Sequence, residues 1–361
     1  MALSHTSPIR LASLILPFLG WAVLAIYWSG VGTPLLTFLV LVGVVLAAVH
    51  HAETVAHRVG EPFGTLILAL AVTVIEAGLI VTLMMANRAE ATTLARDTVF
   101  AATMIILNLL LGLCLVAAAW RRTEGRFTRT GANAALATLA TLVVLSLVLP
   151  NYTISVRGPV YSPPQLAFVA VSSLLLYLTF VFVQTLRNRD YFLPKPEAAA
   201  APDEHAPPPD ARTAWISFTA LVVSLGAVVL MAKSLSPALE AAVDAASAPR
   251  ALVGVAIAGI VLLPESVAAV RSARAGRLQT SLNLALGSAL ATIGLTIPVV
   301  AVTSFVLDLP LSLGLDSKGM VLLALTLFLS SLSLARGRIT VLHGAVHLTT
   351  FAAYLLTIVV P

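Results

Sequence analysis

Long apolar runs separated by short polar segments recur along the chain from Leu11 to Val360. A membrane-spanning helix needs about 20 mostly apolar residues, because a helix rises about 1.5 Å per residue and the hydrocarbon layer is about 30 Å thick. The pattern therefore predicts an all-α polytopic membrane protein with eleven spanning helices. The predicted spans are 11–28, 33–49, 63–86, 98–119, 133–149, 165–186, 213–232, 251–270, 281–305, 319–335 and 340–359.

The composition supports this interpretation and excludes several classes of protein. Of 361 residues, 59% are hydrophobic and 10% are charged, whereas soluble domains carry about 25% charged residues. The single cysteine, Cys114, lies in an apolar run, which excludes an intrachain disulfide framework and a cysteine-based metal cluster. The net charge of +5 comes from Lys and Arg scattered between the apolar runs. This scatter favours contact with membrane lipid over nucleic-acid binding.

The distribution of basic residues predicts an orientation. If the N-terminus is cytoplasmic, the cytoplasmic loops hold fifteen of the 21 Lys and Arg residues and the opposite loops hold six. Because basic residues are enriched on the cytoplasmic side, we expect a cytoplasmic N-terminus and an external C-terminus. The widest polar break, 187–212, is rich in proline and acidic residues. Such a composition predicts a disordered cytoplasmic linker between two halves of the chain.

Two of the sixteen carboxylates, Glu76 and Glu265, fall deep inside predicted spans. Counted from the helix starts, each lies roughly 20 Å into the hydrocarbon layer. An acid at this depth costs about 2.5–3.5 kcal/mol, and no Lys or Arg lies within the predicted spans to neutralise it. A bound cation or a proton is therefore expected at each. The alternative is that each glutamate is simply protonated and hydrogen-bonded to a neighbouring helix.

The two glutamates also share a sequence context. Glu53 precedes Glu76 by 23 residues and Glu240 precedes Glu265 by 25, in each case across a polar turn and an apolar run. On the predicted topology, the third span runs outward and the eighth runs inward. This is an inverted repeat with matching acids near the membrane centre, an arrangement typical of secondary transporters.

Further features near these acids suggest cation chemistry. Pro264 directly precedes Glu265 and predicts a kink that frees backbone carbonyls. Oxygen ligands suit Ca²⁺, which takes 6–8 oxygens, while a site with fewer ligands suits Na⁺. Protons compete with cations for carboxylate oxygens, so the same pair can couple the two fluxes. We expect no bound cofactor. The candidate supporting oxygens are those of Thr73, Asn108, Asn283, Ser288 and Thr292.

The sequence resembles a known family. The segments GEPFGTLILALAVTVIEA, from Gly60, and VGVAIAGIVLLPESVAAV, from Val253, are similar to the two repeats of the cation/calcium exchanger superfamily. The resemblance is strongest to the ChaA-type bacterial calcium/proton antiporters and covers most of the chain from about residue 50. It extends through RDTVF at Arg96, NLALGSALATIGLTIPVV at Asn283 and HLTTFAAYLLTIV at His347.

This resemblance implies an antiporter with an extra N-terminal helix and two inverted five-helix halves. It implies Glu76 and Glu265 as cation and proton ligands, with Asn108 and Ser288 at the polar positions of the next helix in each half. The implied segments are the extra helix 1–32, a first half 33–186 with its repeat at about 50–119, the linker 187–212, and a second half 213–361 with its repeat at about 238–305.

The residues before each glutamate depart from the family pattern. Calcium/proton exchangers carry a glycine-asparagine pair there, whereas this chain has Val72-Thr73 and Val261-Leu262. Leu262 offers no side-chain oxygen. The resemblance leads us to expect export of Ca²⁺ in exchange for H⁺ across a bacterial inner membrane, and this departure leaves Na⁺/H⁺ or K⁺/H⁺ exchange as the alternative.

Histidines supply two further hypotheses. His50 and His51 lie near Glu53 and Glu61 at the predicted cytoplasmic end of the second span, where they could form a pH-sensing gate or cap the interface. Farther along, the four-residue spacing of His343 and His347 places both on one helix face, where we expect hydrogen bonds between helices.

Two other functional classes compete with a transporter. A membrane-embedded enzyme could use serines such as Ser266 and Ser288, but no nucleophile motif surrounds them and an enzyme gives no reason for mirrored glutamates. A channel usually builds its filter from subunit symmetry, whereas this chain carries its predicted symmetry internally.

Overall fold

The computed structural model describes residues 8–60, 63–86, 91–120, 124–193, 209–245, 249 and 251–360. Within these ranges the chain is almost entirely helical. The α-helices are α1 (Pro8–Trp28), α2 (Pro34–Val59), α3 (Phe63–Ala86), α4 (Ala91–Met104), α5 (Leu111–Ala119), α6 (Arg129–Val143), α7 (Pro163–Phe182), α8 (Ala211–Ala245), α9 (Ala251–Arg274), α10 (Leu278–Leu307), α11 (Ser317–Leu334) and α12 (Val341–Val359).

Shorter elements join or extend these helices. Two strands, β1 (Gly125–Arg126) and β2 (Arg338–Ile339), pair antiparallel. Three segments are wound as π-helix and two as 3₁₀-helix. The π segments are Ile105–Leu110, Val144–Val148 and Val183–Arg187, and the 3₁₀ segments are Leu149–Tyr152 and Arg189–Tyr191.

The described helices confirm a polytopic all-α membrane protein. Among the described residues, nine helical stretches are long and apolar enough to cross a membrane, with α4, its π segment and α5 counted as one stretch. The bent α9 makes a tenth if its two parts are counted as one span. In α3 the described apolar stretch, Leu70–Thr82, is shorter than a full span. The exact count of eleven stays a prediction.

Several helix ends differ from the predicted spans. Helix α4 begins at Ala91 rather than residue 98, and α8 continues to Ala245 rather than ending at 232. Arg96 and Lys233 are therefore helical, although the predicted spans contain no basic residue. Hydropathy detects only the part of a helix that lies in hydrocarbon, whereas backbone hydrogen bonds continue into the interface. Most of the predicted linker, residues 194–208, lies outside the described residues.

Helix α9 is bent by 54° between Gly254–Leu263 and Glu265–Arg274. The bend lies at Pro264, which cannot donate a backbone hydrogen bond to the preceding turn. The predicted kink next to Glu265 is therefore confirmed.

The chain divides into two compact units, and the first contains α1, α2, α3 and α8. Within it, α2 packs against the other three helices. Indole groups on α1 reach α8: Trp21 Nε1 donates to the carbonyl of Val223 at 3.2 Å, and Trp28 Nε1 donates to Ser234 Oγ at 3.0 Å. These bonds satisfy polar groups that would otherwise face hydrocarbon.

The second unit contains α4–α7 and α9–α12, and α10 is its central helix. Helix α10 packs against α4, α5, α6, α7 and α9. Its sequence is rich in Ala, Gly, Ser and Thr, and small side chains let neighbouring helices approach closely. At Gly294, an added Cβ would lie 2.6 Å from Tyr177 Cβ on α7. A helix with small residues on every side can be surrounded by partners.

Contacts within the second unit follow the pattern of an inverted repeat. Helix α7 packs on α10, and α12 packs on α5, so the fifth helix of each predicted half contacts the third helix of the other. The connections show the same correspondence. The α5–α6 and α11–α12 connections pair through β1 and β2, and the α6–α7 and α10–α11 connections pair through a bridge between Val160 and Ser312. Each pair joins loops that alternating spans place on one side of the membrane.

Two glycines allow a close crossing of α5 and α12. A Cβ added at Gly344 would lie 2.5 Å from Val116 Cγ2 and 2.7 Å from the carbonyl oxygen of Gly112. Both distances are shorter than the contacts that a real Cβ atom makes. We expect Gly344→Ala to lower the free energy of unfolding by about 1–3 kcal/mol through overpacking. The apparent Tm in detergent measures this effect.

The matched control is Gly259→Ala on α9, because an added Cβ there meets no atom within 4 Å. Alanine is the better helix former by about 1 kcal/mol, so this variant should keep or raise the apparent Tm. Equal destabilisation by the two variants would contradict a specific close crossing at Gly344.

Thiol labelling tests the predicted topology. In a Cys114→Ala background, Ile154→Cys places a thiol at a residue that is 98% exposed in the α6–α7 connection, and Arg338→Cys places one on β2. We expect a membrane-impermeant maleimide to label position 154 in intact cells, and position 338 only in everted vesicles. Labelling of both from one side would contradict the alternating spans, and the reverse pattern would contradict the predicted orientation.

Candidate functional site

Glu265 is a buried carboxylate in the second unit. It directly follows the bend in α9, and only 8% of the residue is exposed. Ser288 Oγ, on α10, donates a hydrogen bond to Glu265 Oε2. The structure therefore brings together two residues that the sequence singled out separately. Among the described residues, no Lys or Arg forms an ion pair with Glu265.

The hydroxyl groups of α10 extend this polar surface. Ser288 and Thr292 are four residues apart, so they share one face of the helix, and both are buried. Thr292 makes polar contacts of its own. A carboxylate with neighbouring hydroxyl oxygens is a hard-ligand environment that suits a proton, Ca²⁺ or an alkali cation. It lacks the soft ligands that zinc or copper prefers.

Glu76 is the corresponding carboxylate of the first unit. It lies in the middle of α3 and is 3% exposed, and Thr73, also buried, precedes it by one helical turn. Both side chains have polar contacts. Helix α3 packs against α2 and α8. Glu76 is thus a second buried acid in the middle of an apolar helix.

Asn108 lies in the π segment Ile105–Leu110, which packs against α9, α10, α11 and α12. Its Nδ2 donates to Thr326 Oγ1 at 2.9 Å, and its Oδ1 contacts His347 Nδ1 at 3.3 Å. The other ring nitrogen of His347 contacts Ser333 Oγ at 3.2 Å. The expectation that His347 forms hydrogen bonds between helices is confirmed. Sequence reasoning did not find Thr326 and Ser333, because isolated hydroxyls in an apolar helix are common.

Asn283 has other partners in the structure. Its Nδ2 donates to the carbonyl of Phe192 at 2.6 Å, and its Oδ1 accepts from Gln279 Nε2 at 3.0 Å. These bonds attach the segment after α7 to the start of α10. Asn283 thus has a structural contact, and its predicted role as a supporting ligand stays a prediction.

The histidines at the end of α2 also have a structural contact. His51 Nε2 lies 3.0 Å from the carbonyl oxygen of Ser13, which joins α2 to α1 within the first unit. The ring centroids of His50 and His51 are 5.8 Å apart, and Glu53 is exposed. Glu61 lies outside the described residues. The contact to α1 accords with the capping interpretation, and the pH-sensing gate stays a prediction.

The acids in the described part of the chain are dispersed. No three His, Cys, Asp or Glu side chains cluster there in a way that could hold a metal ion. The two candidate sites are therefore Glu265 with Ser288 in the second unit and Glu76 with Thr73 in the first unit.

Comparison with known proteins identifies the family. A family model described as sodium/calcium exchanger protein matches residues 29–186 and 216–360. The chain belongs to this exchanger family. It is therefore an antiporter of the cation/calcium exchanger superfamily, a family of transporters rather than enzymes.

Two relatives and one solved structure match most of the length of this chain. It is 48% identical over 321 residues to the protein y4hA of Sinorhizobium fredii, covering 89% of this chain and 87% of that protein. It is 34% identical over 353 residues to the sodium-potassium/proton antiporter ChaA of Escherichia coli, covering 96% and 95%. The crystal structure of the H⁺/Ca²⁺ exchanger CAX has the same fold, with a TM-score of 0.70, 16% identity, and 96% of this chain and 88% of that chain covered.

Removal of the Ser288 hydroxyl tests the local site in this exchanger. Ser288→Ala removes the hydrogen bond to Glu265 and one candidate oxygen. We expect the apparent cation affinity to fall by roughly tenfold or more, because removing a group next to a ligand typically has this effect. The measurement is initial transport rate against cation concentration in vesicles.

Thr303→Val is the matched control, because Thr303 lies half-buried on the same helix and its hydroxyl donates to the carbonyl of Val299 on that helix. This variant should transport like the wild type. If Ser288→Ala also keeps the wild-type concentration dependence, the hydroxyl has no part in binding.

Proposed function

We propose that the protein exports Ca²⁺ from the cytoplasm in exchange for H⁺ by alternating access across a bacterial inner membrane. The observation that carries this proposal is Glu265, a buried carboxylate that accepts a hydrogen bond from Ser288 and has no basic partner in the described chain. An unneutralised carboxylate at this depth is costly, so it needs a proton or a cation. A carboxylate that binds either a proton or a cation, but not both at once, can couple the movements of the two ions in opposite directions.

The proposed proton and cation sites are the two glutamates. In the second unit we assign Glu265 as the principal ligand, with oxygens from Ser288 and Thr292 and from Asn108 of the π segment. In the first unit we assign Glu76, supported by Thr73. Ionised carboxylates attract the cation, and protonation of the same oxygens releases it. Hydroxyl and amide oxygens replace part of the water that the cation loses on entering the protein.

Exchange of Na⁺ or K⁺ for H⁺ is the second candidate, and two observations favour it. The relative ChaA, at 34% identity, is named as a sodium-potassium/proton antiporter, whereas the H⁺/Ca²⁺ exchanger CAX shares the fold at 16% identity. In addition, Leu262 precedes Glu265 by three residues, as Thr73 precedes Glu76. The side chain of Leu262 offers no oxygen. Fewer ligand oxygens around Glu265 suit a monovalent ion better than Ca²⁺, which takes 6–8.

The membrane arrangement is part of the proposal. We propose a cytoplasmic N-terminus, an external C-terminus, an extra helix before two five-helix halves, and a cytoplasmic linker at 187–212. The excess of basic residues in the loops assigned to the cytoplasm supports this orientation. The pairing of β1 with β2, and of Val160 with Ser312, supports the assignment of loops to sides.

Transport in everted vesicles tests the function directly. Vesicles from an antiporter-deficient bacterium, acidified by respiration and followed with a pH-gradient dye, receive Ca²⁺, Na⁺ or K⁺ separately. We expect Ca²⁺ to dissipate the gradient with the wild type, and Glu265→Gln and Glu76→Gln each to abolish the response. Glutamine keeps the size of the side chain but binds neither a proton nor a cation as a carboxylate does.

Glu124→Gln is the matched control, because Glu124 forms a partly exposed pair with Arg338 at 3.6 Å. The chemical change is identical, yet this variant should transport normally. A wild-type response only to Na⁺ or K⁺ would select the second candidate. Normal transport by either buried glutamine variant would exclude that glutamate from the mechanism.

A further inference from the structure

A chain of directed hydrogen bonds crosses three helical segments of the second unit and includes neither Glu265 nor Ser288. It runs from Ser333 on α11 to His347 on α12, then to Asn108 in the π segment, and back to Thr326 on α11. All four residues are buried. Thr326 Oγ1 ends the chain by donating to the carbonyl of Leu322 at 2.7 Å.

The direction of each bond follows from the acceptors. Because Thr326 Oγ1 donates to Leu322, it accepts from Asn108 Nδ2. That orientation turns Asn108 Oδ1, which can only accept, toward His347 Nδ1 at 3.3 Å. His347 Nδ1 must therefore carry the proton, and Nε2 accepts from Ser333 Oγ in the neutral ring. For the neutral ring, the chain specifies the Nδ1–H tautomer.

The side chain that His347 Nδ1 contacts belongs to the π segment Ile105–Leu110. A π turn leaves carbonyls without regular α-helical partners, and such turns recur at functional sites. The partner of His347 Nδ1 thus belongs to a π turn that packs against α9 and α10, the helices that carry Glu265 and Ser288.

We propose that His347 is a positioning residue that fixes the Asn108 carboxamide and the π segment around it. The bond to the ring uses one lone pair of Asn108 Oδ1 and keeps the carboxamide from rotating. The second lone pair of Oδ1 then has a fixed direction. The consequence for transport rests on the proposed function, in which Asn108 supplies an oxygen to the cation. The hydrogen-bond chain itself does not depend on that function.

The tautomer gives a test that is independent of transport. Solid-state NMR of the wild-type protein in lipid bilayers, with ¹⁵N-labelled histidine, distinguishes a protonated from an unprotonated ring nitrogen. The chain has seven histidines, and the His347 signals are those lost in His347→Asn. We expect Nδ1–H with an unprotonated Nε2, in contrast to the Nε2–H form that a neutral histidine side chain favours in water. An Nε2–H tautomer at His347 overturns the proposal.

Two substitutions of His347 separate positioning from packing. Asparagine places its amide close to the former Nδ1 and can still donate to Asn108, whereas glutamine places its amide close to the former Nε2, facing Ser333. We expect His347→Gln to raise the apparent KM for the transported cation by roughly ten- to a hundredfold with a smaller change in maximal rate. His347→Asn should restore most of the affinity. Equal loss in both variants, or a loss confined to maximal rate, contradicts positioning through Asn108.

Serine variants on α11 provide a matched pair that leaves the histidine in place. Ser333→Ala removes the donor to Nε2, whereas Ser330→Ala removes a buried hydroxyl on the same helix that has no hydrogen-bond partner among the described residues. We expect Ser333→Ala to raise the apparent KM and to shift the population of His347 tautomers, and Ser330→Ala to change neither. An unchanged tautomer and KM in Ser333→Ala would remove this residue from the chain.

The outcomes distinguish this proposal from the proposed function. If wild-type vesicles exchange none of the tested cations for protons, the proposed function fails, while the NMR result still decides whether His347 donates to Asn108. If exchange occurs and the tautomer is Nδ1–H, but His347→Gln keeps the wild-type KM, the hydrogen-bond chain is structural and the positioning proposal is overturned.

Discussion

A polar group buried among membrane helices must find its partner within the protein, because hydrocarbon offers none. Most hydroxyls in the described chain meet this requirement on their own helix: Thr103 donates to the carbonyl of Val99, and Ser224 to that of Ala220. A few side chains instead reach a different helix, as Ser288 does toward Glu265 and His347 toward Asn108. These two inter-helix bonds connect neighbouring helices and involve residues to which we assign chemistry.

Two departures from regular α-helix occur beside residues to which we assign chemistry. The bend of 54° in α9 directly precedes Glu265, and the π segment Ile105–Leu110 contains Asn108. Each departure releases backbone groups from the usual i to i−4 pattern, and a membrane protein tolerates this only where other groups enclose the released ones. The bend in α9 and the π segment around Asn108 thus lie where α9, α10 and this π segment pack together.

Close packing supports these irregular segments. Helix α10 is surrounded by five other helices because small side chains line it, and Gly112 and Gly344 let α5 and α12 cross at short range. The same relations recur twice in the second unit, once for α7 with α10 and once for α12 with α5. A repeated packing scheme in opposite orientation supplies the symmetry that exchangers use to present related sites to both sides of a membrane.

The sequence by itself determined the membrane class, nearly all the spans, the two buried glutamates, the bend at Pro264 and the family. These properties are local: hydropathy, a lone acid and a proline act over one helix and need no knowledge of neighbours. Ser288 could also be selected from sequence, since it lies one helix after Glu265 in a motif of the family. Helix ends were less accurate, because hydropathy ends at the interface while the helix continues.

Only the tertiary structure decided which polar side chains meet. Asn283 and Asn108 have the same chemistry and both were predicted as ligands, yet Asn283 binds a carbonyl 91 residues away and Asn108 is held by a histidine 239 residues away. No local period encodes such contacts, since they depend on how α5, α11 and α12 cross and on an extra residue wound into one π turn. The sequence therefore determined which groups must be neutralised, and the packing of distant helices determined their partners.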